Sequence, residues 1–161
     1  MSAGATETRD EHRWLQKLVG DWTYEMQTAA GPDHPPMRLT GTETVRSLGG
    51  LWVVCEGRGD NPDGSTGQSI MTLGYDPEKE RFVGTFVGSM MTNLLVYEGT
   101  LDPAGNALTL DTEGPGYNTP RAKYKDVIAF SDDDERVMTS AWLRDDGGWE
   151  EIMRSTYRRS G

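Results

Sequence analysis

Hydrophobic and polar positions along the chain fall into two regimes divided at Gly20. Before it, Trp14, Leu15, Leu18 and Val19 recur at the three- and four-residue spacing of one helix face. Thr8-Arg9-Asp10-Glu11 precedes them in the Thr-x-x-Glu form of a capping box. The pattern predicts an amphipathic helix over 9–18, about three turns long. Gly20 is expected to close it, because a glycine just past the last periodic residue can take the left-handed conformation. Residues 1–7 read as a flexible polar tail.

After Gly20 the period shortens to two. Alternating or β-branched runs at 22–28, 37–47, 51–58, 68–75, 81–87, 93–101, 107–113, 122–130, 136–143 and 149–158 give about ten predicted strands. Asp76-Pro77 and Asp102-Pro103 preset φ for turns, while Gly49-Gly50 and Gly147-Gly148 tolerate positive φ. Such short links leave no room for parallel crossovers. The longer connections 29–36 and 114–120, rich in glycine and proline, are candidates for loops at an open mouth.

A long antiparallel meander would leave two edges unpaired, and closing it on itself removes both. The expected fold is therefore all-β: a single meander β-barrel domain over 8–161, with the short N-terminal helix capping one end.

Composition narrows the partners. With 26 acidic against 16 basic residues the net charge is −10, which disfavours nucleic acid and anionic membrane surfaces. A single cysteine, Cys55, excludes an intrachain disulfide and fits a reducing, cytoplasmic setting. No apolar run approaches the roughly 20 residues of a membrane span.

Gly20-Asp21-Trp22 after a short helix, followed by a meander that ends in the basic strand Ile152-Met153-Arg154-Ser155-Thr156-Tyr157-Arg158, resembles the calycin superfamily of lipocalins, fatty-acid-binding proteins and nitrobindins. Within it, the Gly-x-Trp start, Met71-Thr72-Leu73-Gly74-Tyr75-Asp76-Pro77 and the terminal Tyr157-Arg158-Arg159 look most like a bacterial family catalogued only as a domain of unknown function. The likeness runs from Trp14 to Arg159. It implies that Trp22 packs inside the closed end under an arginine of the last strand, Arg154 or Arg158. Nitrobindins hold haem through a late histidine. Both histidines here, His12 and His34, precede the second strand, so haem is not implied.

Chemical motifs are sparse. His12, His34 and Cys55 lack metal-ligand spacing, and Asp132-Asp133-Asp134-Glu135 lacks the pattern of a calcium loop and reads as a solvated turn. No metal or cofactor is implied. His12 reads as a solvated helix position, His34 as a loop residue and Cys55 as a small buried hydrophobe. What remains is an interior of large, soft and aromatic side chains. Trp52, Met71, Met90, Asn93, Tyr97, Tyr124, Trp142 and Met153 are the candidates for lining a ligand cavity. Glu56, Glu98 and Asp126 lie within strand-like runs; one that faced inward would be a candidate general acid or base.

Three functions are compatible with this reading. The first is a barrel that binds a small hydrophobic or amphipathic molecule. The second is a cyclase-like barrel enzyme that orients a reactive substrate without metal or covalent nucleophile. The third is a filled barrel that acts as a homodimeric structural or interaction protein.

Overall fold

The computed structural model describes residues 7–30, 35–61, 63–116 and 119–160. His34, and most of the expected N-terminal tail, lie outside these residues. Helix α1 (Asp10–Gln16) is followed by ten strands: β1 (Gly20–Thr28), β2 (Met37–Leu48), β3 (Trp52–Asp60), β4 (Thr66–Asp76), β5 (Arg81–Gly88), β6 (Leu95–Leu101), β7 (Ala107–Gly114), β8 (Ala122–Asp132), β9 (Glu135–Leu143) and β10 (Trp149–Arg159). Each strand pairs antiparallel with its sequence neighbour, and β1 pairs with β10, which closes the barrel. The expected fold is the one observed. No helix among the described residues is long and apolar enough to cross a membrane.

The helix starts one residue later than the capping box predicts. Arg9 is the N-cap, and its backbone N–H donates to His12 Nδ1 at 2.9 Å. His12 Nε2 lies 3.0 Å from the Tyr75 carbonyl oxygen, and these two bonds together assign the neutral Nε2–H tautomer. His12 is buried, which corrects its reading as a solvated position: a helix lying across the end of a barrel hides a side chain that a free helix would expose.

Gly20 also has a different task. The helix ends at Gln16 with Lys17 as C-cap, and Gly20, at φ 138°, opens β1. A Cβ at Gly20 would run into the Arg159 guanidinium. The glycine is needed for positive φ and for close approach of an arginine, not for capping.

Connections alternate between the two barrel ends. The turns β2–β3, β4–β5, β6–β7 and β8–β9 share the helix end: His12 contacts the Tyr75 carbonyl, Trp14 Nε1 donates to the Gly105 carbonyl at 2.6 Å, and Arg159 reaches the Asp133 carbonyl. The two long loops expected at the mouth, 29–36 and 114–120, both leave from the opposite end. Residues 31–34, 117 and 118 of those loops lie outside the described residues.

The core is concentrated at the helix end. Leu15, Leu18, Trp22, Val53, Leu73, Phe82, Leu108 and Leu110 are fully buried there. Each such side chain contributes about 1.5–3 kcal/mol. Trp14 packs edge-on against Phe130 and Phe82, with ring centroids 5.4 and 6.3 Å away. One end of the barrel is thus filled and plugged, and any internal space must lie toward the other.

Candidate functional site

That space is a cavity of about 320 Å³ inside the barrel. It runs from Leu18 at the helix end to Met91, Asn93 and Pro115 in the connections at the opposite end. Alternation decides what faces it. Interior positions carry Tyr24 and Met26 on β1, Glu43 on β2, Cys55 and Gly57 on β3, and Ser69 and Met71 on β4. Phe86, Leu95, Tyr97, Thr112, Tyr124, Asp126 and Ile128 continue the wall through β8, and Arg136, Met138, Ser140, Met153 and Tyr157 complete it.

The floor is an aromatic and cationic stack. Trp22 has no exposed surface, and its indole N–H donates to the Leu18 carbonyl at 2.8 Å. The Arg159 guanidinium lies 4.2 Å from the Trp22 ring centroid. Arg136 lies 4.6 Å from the same ring and 4.0 Å from that of Tyr157. Arg136 is ion-paired with Glu43, and the two side chains are only 3% and 13% exposed. Arg159 also donates to the Val19 and Lys17 carbonyls at 2.8 and 3.1 Å, satisfying groups left open past the helix C-terminus.

The expectation that Arg154 or Arg158 covers Trp22 is corrected here. Both point outward, Arg154 to Glu151 and Arg158 to Glu135. The cause is register: Trp22 stands opposite Arg159 across the β1–β10 seam, and Arg158, one residue away, faces the other side. Arg154 shares the outward parity of Arg158.

A second polar group sits on the wall. Asp126 is buried; Tyr97 Oη donates to its Oδ2 at 2.5 Å, and Ser140 Oγ donates to its Oδ1. Burial pushes the Asp126 carboxyl above its ordinary value, opposed by the hydrogen bonds from Ser140 and Tyr97. Burial likewise raises Tyr97, Tyr157 and the Cys55 thiol.

Of the three acids singled out from sequence, only Asp126 faces the interior. Glu56 lies on the outer surface 3.0 Å from Arg46, and Glu98 is outside near Lys79 at 3.7 Å. Their neighbours Cys55 and Tyr97 take the inward positions, so strand alternation turns both glutamates out.

Of the eight candidate lining residues, Met71, Asn93, Tyr97, Tyr124 and Met153 are on the cavity wall. Three are not. Trp52 is on the outer face, 40% exposed, with its ring packed over Gly74. Met90, in the turn after β5, is 68% exposed, and Met91 takes the wall position instead. Trp142 shares the inward parity of Ser140, but at the end of β9 it lies beyond the cavity, its indole N–H donating to Glu150 at 2.8 Å.

Sequence reasoning missed Tyr24, Glu43, Arg136, Ser140 and Tyr157. A signal for Tyr24 exists in Gly41 and Gly59, where a Cβ would strike the Tyr24 ring. Interior glycines on adjacent strands mark room for a large neighbour. Among the described residues no group of three or more His, Cys, Asp and Glu side chains is placed to hold a metal ion.

Residues 7–159 match the family described as protein of unknown function (DUF1579). The chain belongs to this family. The membership expected from the Gly-x-Trp start and the terminal Tyr-x-Arg is thus borne out. Among solved structures the DUF1579 barrel is similar to Rv2717c from M. tuberculosis, with a TM-score of 0.67, 11% identity, and coverage of 96% of this chain and 100% of that one. It is also similar to the S-type phycobiliprotein lyase CPES from Guillardia theta, with a TM-score of 0.60, 17% identity, and 92% of each chain covered. At these identities the likeness is one of fold alone. No curated protein matches the chain in sequence.

Proposed function

We propose that this barrel binds a small hydrophobic or amphipathic molecule in its interior. The cavity carries the reading. Native cores pack with few voids larger than a water molecule, and an unfilled space forfeits dispersion contacts along its whole lining. A space of about 320 Å³ falls within the range of ligand pockets, about 300–1,000 Å³. Its walls combine adaptable methionines, Met26, Met71, Met138 and Met153, with a few fixed polar groups, the composition that suits an apolar ligand held in one orientation. The same observation counts against the filled-barrel alternative. The cytoplasmic setting proposed alongside rests on the single cysteine, Cys55, being buried and unpaired.

The test is binding of the apolar fluorophore Nile red, together with native mass spectrometry of the protein as purified. We expect one equivalent of fluorophore, displaced by any copurifying organic molecule, and loss of binding in Met71→Trp with the far-ultraviolet dichroism unchanged. Equal binding by a folded Met71→Trp variant would place the dye elsewhere and remove the reading.

Asp126 favours a second reading, a barrel enzyme that orients its substrate and moves a proton. Its carboxyl is buried on the cavity wall and held by two hydroxyls, as a general acid or base needs. If the molecule found by native mass spectrometry is chemically altered on incubation with the protein, Asp126→Asn must stop that change while retaining binding. A variant that still turns it over sinks the acid–base role.

A further inference from the structure

The ionisable side chains on the described cavity wall are unevenly matched. Arg136 and Glu43 form an ion pair at the floor and neutralise one another. Asp126 has no such partner: its two oxygens receive neutral hydroxyls from Tyr97 and Ser140 and no cation. Burial, Ser140 and Tyr97 are what set its protonation, and no basic side chain is among the causes. A buried carboxylate without a counter-charge is expensive, costing several kcal/mol unless it is paired or protonated. Proteins seldom bury such a group without a use for it.

The surroundings of Asp126 suit a cation more than any other group. Each carboxylate oxygen has a second lone pair beyond the one its hydroxyl uses. Tyr24, Tyr97, Tyr124, Tyr157 and Phe86 line the same cavity, and aromatic faces attract a desolvated cation. An anion would instead meet the carboxylates of Asp126 and Glu43. Arg136 is the cation on the described wall, its charge already paired with Glu43 through one terminal nitrogen, although its buried Nε has no hydrogen-bond partner among the described residues. The molecule as a whole carries a net charge of −10, which raises the local concentration of cations around it.

From this arrangement we infer that the cavity ligand is an amphipathic amine, its apolar body against the methionine wall and its protonated nitrogen paired with Asp126. The inference rests on the cavity being the binding site. The protein supplies one half of a buried ion pair and the ligand supplies the other. Tyr97 and Ser140 are positioning residues: by fixing both carboxylate oxygens they set the direction from which an ammonium group approaches.

Three probes with one tail and different heads test it: decylamine, decanol and decanoate, titrated calorimetrically into the unaltered protein at 0.15 M salt to screen surface attraction. We expect decylamine to bind as one equivalent at least about tenfold more tightly than decanol, the range of a charge-assisted hydrogen bond, with decanoate weakest. In Asp126→Asn the amine should lose that advantage while decanol keeps its affinity. Decanol binding as well as decylamine overturns the inference and leaves the cavity reading standing. So does tightest binding of decanoate, which would assign the polar anchor to Arg136. An amine preference retained in a folded Asp126→Asn variant overturns it as surface adsorption. If none of the three probes binds and Nile red also fails, the cavity reading falls, and the inference with it. The comparison among heads needs no variant, so a poorly folding Asp126→Asn leaves the test intact.

Discussion

Trp22 and Arg159 stand directly opposite each other across the seam where β1 meets β10, with the guanidinium 4.2 Å from the indole centroid. The contact joins the first strand to the last, so it forms only when the barrel closes. Arg159 adds hydrogen bonds to the Val19, Lys17 and Asp133 carbonyls, which ties the helix end, the seam and the β8–β9 turn to one side chain.

Replacing Arg159 by alanine should therefore destabilise the fold by about 2–4 kcal/mol, the sum of a partly desolvated cation–π contact and lost bonds to otherwise open carbonyls. Arg158→Ala, which removes an exposed pair with Glu135, should cost less than about 1 kcal/mol. Urea denaturation of the two variants makes the comparison. Equal effects would mean that the seam contact contributes nothing special.

The Arg136–Glu43 pair should behave as a buried ion pair. Glu43→Gln leaves a guanidinium between two rings without its counter-charge, and a loss of about 3–5 kcal/mol is expected. The double variant Glu43→Leu with Arg136→Met should be far less destabilised than the two single changes added together. Additive losses in a double-mutant cycle would show that the two side chains act independently.

Asp126 gives stability a pH signature. Its carboxyl is raised by burial, so the native state holds the proton more tightly than the unfolded chain does. From about pH 4, the ordinary carboxylate value, up to the raised native value, the native state binds more protons, and stability falls as pH rises through that window. Asp126→Asn lacks the titrating group and should lack the fall. Stability measured from pH 4 to 8 for both proteins checks this. A wild-type curve parallel to that of the variant would mean that Asp126 ionises in the folded state as easily as in the unfolded one.

Strand existence and order were legible because each run announces itself by alternation and each turn by proline, aspartate or glycine. Facing was legible only in part. Tyr97 and Glu98 are neighbours, so on a regular strand only one can face the cavity; nothing in the sequence says which, and burial resolves it in favour of the tyrosine. In β10 the register shifts between Glu151 and Met153, which switches inward parity partway along the strand. That irregularity leaves no mark in the residue pattern, but Arg154, Arg158 and Arg159 all follow it. Arg158 and Arg159 are neighbours of opposite facing, and only the β1–β10 register, which sets Arg159 opposite Trp22, decides between them. Arg136 and Glu43 escaped notice for a related reason. Charged residues within strands normally face solvent, and these two turn inward as a pair whose members are 93 positions apart.

Cys55 reports on the interior chemically. It lines the cavity, is 4% exposed, and has its thiol raised far above the ordinary range chiefly by burial, with Glu43 adding to the rise and Arg136 opposing it. The reactive species is the thiolate, and at pH 8 an unperturbed cysteine, with a pKa of about 8.5, supplies a substantial fraction of it. In the folded protein that fraction should be negligible, so iodoacetamide should label native Cys55 at least about a hundredfold more slowly than the urea-unfolded chain. Burial and the nearby Glu43 carboxylate both act in this direction, and Glu43→Gln separates them. If the variant folds, removing the negative charge should speed labelling without reaching the unfolded rate. Native labelling as fast as unfolded labelling would mean that the thiol meets water freely and that the cavity is wet where its wall is drawn as apolar.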